Sequence, residues 1–130
     1  MIVKPHVTFC FAFTGITSKS KARVRLTKFL HDKDWLPAES DQDPLLLNYH
    51  TNGDGSCEVI LNETEELSIE ECADLFFMNL RRTNDIEYIK IFYNEYAEKL
   101  ICNKSGMYHN YQTVDFLELK ENDPVVIYHK

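Results

Sequence analysis

Between Asp34 and Leu80 the chain has no Lys and no Arg. Cysteine is sparse: Cys10, Cys57, Cys72 and Cys102 are far apart, and no CxxC pair exists. That spacing excludes zinc ribbons and thioredoxin-like redox motifs, and it suits small buried thiols in a reducing compartment. No apolar run approaches the ~20 residues a membrane-spanning helix needs. The apolar stretch Val7 to Ile16 follows Lys4, but its threonines and the lack of a small-x-small site favour a strand over a signal peptide. A cytoplasmic protein is expected. No GxSxG elbow, HExxH helix or GxxxxGK[ST] loop is present, so the familiar hydrolase, zincin and nucleotide-binding signatures are missing.

What is present in that middle stretch is acid. Asp34, Glu39, Asp41, Asp43, Asp54, Glu58, Glu63, Glu65, Glu66, Glu70, Glu71 and Asp74 all fall within it. The first 33 residues are the reverse, with seven basic side chains (Lys4, Lys19, Lys21, Arg23, Arg25, Lys28, Lys33) against Asp32 alone. The net charge of −7 opposes nonspecific binding to nucleic acid or anionic membrane. The 130 residues suffice for one domain, 1–130, with a core that needs no metal or disulfide.

The pattern of apolar residues gives the elements. His6 to Thr14 alternates, with Val7, Phe9, Phe11 and Phe13 on one side and Thr8, Cys10, Ala12 and Thr14 on the other. Ser18 caps a helix to about Lys33 with Ala22, Leu26, Phe29 and Leu30 inward, leaving Lys21, Arg25 and Lys28 on its polar side. Leu45 to Thr51 and Cys57 to Asn62 form a hairpin about Asn52-Gly53-Asp54-Gly55. A four-residue loop there sets His50 opposite Cys57. Ser68 with Glu71 makes a capping box for a helix to about Arg82. Ile86 to Tyr93 is a strand. Beyond it, Leu100 to Lys104 and Met107 to Tyr111 read as a hairpin, Val114 to Lys120 as a short helix capped by Thr113, and Pro124 to Tyr128 as a last strand. The order predicts an α+β fold: an antiparallel sheet with two helices on one face, a ferredoxin-like β-α-β-β-α-β core plus a C-terminal strand extension.

Four constellations are candidates for chemistry. Asp41, Asp43, Asp54 and Glu58 supply oxygen ligands, but their spacing fits no calcium loop. His50 with Cys57 lacks a second ligand pair for zinc. His109, with Tyr108, Tyr111 and Lys104, has the residue types for acid–base cleavage of RNA but no basic groove beside it. No metal or cofactor is therefore expected. The fourth is the acid itself, which is either a solubilising surface or a docking surface that steers a basic protein. Asp41, Asp43, Asp54, Glu58, Glu63, Tyr49, His50 and Tyr88 are the expected contact residues, with the tyrosines as desolvated anchors. The sheet face away from the helices, if open, is lined by His50, Glu58, Tyr88 and Lys90. The functional expectation is a small acidic stoichiometric binder, monomeric or weakly dimeric. It is of the kind that bacterial immunity proteins exemplify: it blocks a basic toxin, possibly a nuclease, without touching nucleic acid or membrane. The alternatives are a small nucleic-acid-processing enzyme using the basic helix and a histidine, and a regulatory or assembly subunit that pairs through a sheet edge.

Overall fold

The computed structural model describes residues 5–36, 46–103 and 116–130. Its elements run β1 (His6–Phe13), α1 (Lys19–Asp32), β2 (Leu46–Thr51), β3 (Ser56–Asn62), α2 (Ile69–Arg81), β4 (Ile86–Phe92), α3 (Glu95–Asn103) and β5 (Pro124–His129). The strands form one sheet in the order β2-β3-β1-β4-β5, every neighbour antiparallel. The fold is α+β, as the alternating and helical patterns predict. Each of the two long crossovers steps over a strand: β1-α1-β2 over β3, and β3-α2-β4 over β1.

The alternation of β1 decides which side is core. Val7, Phe9, Phe11 and Phe13 are buried, while the residues between them are only half-buried. Helices α1 and α2 lay Ala22, Leu26, Phe29, Leu30, Ile69, Cys72, Ala73, Phe76, Phe77 and Leu80 against that side. Phe76 is its hub. Its ring lies 5.2 Å from Phe9, 5.9 Å from Phe11, 5.8 Å from Phe29 and 5.0 Å from Trp35 between centroids, all tilted or edge-on as ring quadrupoles prefer. Trp35 donates its indole N–H to Asn79 Oδ1 at 2.8 Å, which satisfies the one polar atom it buries.

The caps expected of α1 and α2 are in place. Ser68 and Glu71 close a reciprocal capping box, and the Ser18 hydroxyl accepts from Lys21 N–H. Arg25 departs from expectation. It is half-buried instead of solvated, pairs with Asp85 through two hydrogen bonds of 2.8 and 2.9 Å, and sits 4.5 Å over the Phe13 ring. The cysteines depart too: Cys57 and Cys72 are buried, but Cys10 is half-buried and Cys102 exposed.

After β4 the expected strand at Leu100 is a helix. Asn94 caps α3, its Oδ1 accepting from Tyr96 N–H at 3.0 Å and Ala97 N–H at 2.8 Å, while its amide donates to the His6 carbonyl. Ala97, Leu100 and Ile101 then fall at helical spacing and join the core. The rest of the expected hairpin, Met107 to Tyr111, lies outside the described residues, as do Thr113 and Val114. Residues 116–118 form a turn, so the described part of the expected Val114–Lys120 helix is not helical, and β5 begins at Pro124 as expected.

Candidate functional site

The hairpin register determines what the outer face of the sheet presents. The loop is one residue tighter than the sequence suggests. Gly55 N–H donates to the Asn52 carbonyl, Asn52 N–H donates to the Ser56 carbonyl, and Gly55 has φ +89°. These features make a three-residue loop closed by a glycine bulge. Thr51 therefore pairs with Cys57, and His50 pairs with Glu58. This corrects the expected His50–Cys57 pairing. Cys57 points into the core, where burial pushes its thiol up to about 12. His50 points outward and cannot share a ligand set with it.

With that register, one row of side chains crosses all five strands. His50 on β2 pairs with Glu58 on β3, Glu58 with Cys10 on β1, Cys10 with Lys90 on β4, and Lys90 with Val126 on β5. His50 Nε2 lies 3.1 Å from Glu58 Oε2. Lys90 Nζ sits 5.0 Å from the centre of the Tyr88 ring. Among the described residues, the ion pairs closer than 4.0 Å are Arg25–Asp85, His31–Asp32, His50–Glu58 and Lys99–Glu70, so Lys90 has no carboxylate at that range. Val126 is 49% exposed. The neighbouring row holds Ser56, Ala12 and Tyr88.

The electrostatics of this face do not suit nucleophilic chemistry. Burial, then the Glu58 carboxylate, raise the Cys10 thiol above its ordinary range, so it stays protonated at neutral pH. Burial, then Cys10 and Asp54, push Tyr88 up to about 12. What the face offers is fixed hydrogen-bonding groups and charges. Asp54 Oδ1 accepts from Ser56 N–H at 2.9 Å and from its hydroxyl at 2.7 Å, and these bonds hold the carboxyl below its usual range. Asn52 Nδ2 donates to Ser56 Oγ at 2.9 Å. Thr51 Oγ1 donates to the Lys19 carbonyl, which ties the hairpin to the start of α1.

Of the expected contact residues, His50, Glu58 and Tyr88 come together here, with Asp54 at the adjoining hairpin tip. Tyr49 does not join them. It lies on the helix side of the sheet, half-buried, with the Arg23 guanidinium 5.5 Å from its ring centre. Glu63 follows the far end of β3, a strand that spans roughly 20 Å. There Glu63, Glu65 and Glu66 precede α2, whose first turn holds Glu70 and Glu71. Glu70 is bonded to Lys99 at 3.0 Å and Glu71 serves the capping box. The acidic stretch is thus divided between two ends of the molecule, and part of it has a structural use. Asp41, Asp43 and His109, with Tyr108, Tyr111 and Lys104, lie outside the described residues.

Cys10, at the centre of the row, was not among the expected site residues. Its signal was the outward half of the β1 alternation. Among the described residues no group of three or more His, Cys, Asp or Glu could hold a metal ion, and no helix is long and apolar enough to cross a membrane. No family model, curated protein or solved structure matches the chain, so its function rests on these side chains alone.

Proposed function

We propose that this chain is a small stoichiometric binding protein that docks a cationic protein through the hairpin tip and the adjoining outer face of its sheet. The observation that carries the reading is the fixed placement of Asp54 and Glu58 beside His50 and Tyr88 on a face against which no described helix packs. Held carboxylates steer a basic partner and fix its register, and groups ordered before binding lose less entropy on docking. Tyr88 is an aromatic group of the kind that dominates interface energetics. The finer reading is an immunity protein or inhibitor that covers the active site of a basic toxin, most plausibly a nuclease, whose cations must otherwise meet phosphate.

The test starts from a partner captured with the full chain, followed by association kinetics across a salt series. Reversing both acids (Asp54→Lys with Glu58→Lys) should slow association by about tenfold or more at low salt and flatten its salt dependence. An unchanged rate in that variant would remove the hairpin and its face from the interface.

A further inference from the structure

The sheet has β1 at its middle, with β3 and β2 on one side and β4 and β5 on the other. A two-fold axis laid along β1, parallel to its outer face, exchanges the two halves. Over β3 of one copy it places β4 of the other, and over β2 it places β5. The central row then becomes complementary to itself. Glu58 and Lys90 flank Cys10 on opposite sides, so each glutamate meets the other copy's lysine. The row beside it behaves alike: Ser56 and Tyr88 flank Ala12, so a hydroxyl meets a phenol. On the other side of Cys10, Ile60 pairs with Thr8, and the alternation of β4 puts Phe92 at the opposite flank, so an apolar group meets an apolar group.

We propose that the outer sheet face docks a second copy of this chain, as an isologous pair about an axis along β1. This goes beyond the reading above, which concerns a different protein. The Lys90 ammonium, which no carboxylate of the described residues approaches within 4.0 Å, and the exposed Val126 beside it are what the second copy covers. Sheets packed face to face lie about 10 Å apart, within the combined reach of a lysine and a glutamate. Five strands at ~4.8 Å give a face about 24 Å wide and roughly 20 Å long. Two such faces bury on the order of 1,000 Å² between them, the size of a weak, transient contact below the stable range. The pair therefore forms at high protein concentration and yields to a tighter partner on the same face.

The experiment is sedimentation of the full chain over a concentration series, with Glu58→Lys, Lys90→Glu and the double exchange, each checked for folding by circular dichroism. The wild type should dimerise reversibly. Each single reversal sets like charges across the axis and should weaken the dimer by about tenfold or more, and the double exchange should restore it. A chain that stays monomeric throughout, a dimer indifferent to the single reversals, or a double exchange that fails to restore pairing would each overturn the proposal. A monomeric chain that nonetheless loses a captured cationic partner on Glu58→Lys would overturn self-docking and leave the heterologous reading standing.

Discussion

The two faces of the sheet are built from the same five strands, yet they obey different rules. On the helix face, large side chains are fully buried, and their identity is set by shape: Phe9, Phe11 and Phe29 all meet Phe76. On the outer face, polar, charged and apolar groups stand in rows, most of them half-buried, and the charges Glu58 and Lys90 flank its centre. The comparison locates stability on the helix side and leaves the outer side to the recognition role proposed for it. Its sharpest test is unequal cost. Phe76→Ala should destabilise the fold by about 3–5 kcal/mol in urea unfolding, since it removes the ring that four others touch. Cys10→Ala, at the centre of the opposite face, should cost less than about 1 kcal/mol. Equal costs would mean that the outer face is core in disguise.

The division of the molecule was legible in part from its residues. The β1 alternation named both faces, and Ser68-x-x-Glu71 named the start of α2. The outward placement of His50, Glu58, Tyr88 and Lys90 follows from period two alone. What the chain did not reveal is register. A four-residue loop pairs His50 with Cys57, which would put both on one face, at odds with the alternation that turns His50 out and Cys57 in; the glycine bulge supplies the residue that sets His50 against Glu58 instead. The third helix was missed because Leu100 to Cys102 suits a strand, and the deciding residue, Asn94, is a cap that must also reach the His6 carbonyl across the fold. Clustering of acid along the sequence did not imply clustering in space, because β3 carries its two ends apart.

The hairpin tip joins the two faces, and its glycines separate local geometry from position. Gly55 has φ +89°, and a Cβ there would stand 2.5 Å from the Ile16 carbonyl oxygen and 2.9 Å from Thr17 Cα. Gly53 has open space about it and no positive φ. Gly55→Ala should therefore cost about 1–3 kcal/mol and loosen the tie between the hairpin and the start of α1. Gly53→Ala should stay within about 0.5 kcal/mol. Thermal unfolding of the pair checks this, and hydrogen exchange at Gly55 and Ser56 reads the loosening directly. If the two variants behave alike, the tip is not pinned, and the preorganised carboxylates of the outer face lose their support.

The smallest effect concerns charge on the helix side. The hydrogen bonds from Arg25 hold the Asp85 carboxyl below its usual range. A carboxyl with a depressed folded pKa binds a proton less readily folded than unfolded. Its contribution is present above the unfolded value of about 3.9, and it disappears as pH falls through the lower folded value. Asp85→Asn should therefore be less stable than wild type near neutral pH, and the gap should narrow below about pH 4. With Asp85 42% exposed, the gap should be about 1 kcal/mol or less. Denaturant unfolding at neutral and acid pH measures it. A gap that persists in acid would mean that the Asp85 side chain contributes through its shape and uncharged hydrogen bonds and not through the ion pair with Arg25. The helix face would then be ruled by shape even where it carries charge, leaving charge as the language of the outer face alone.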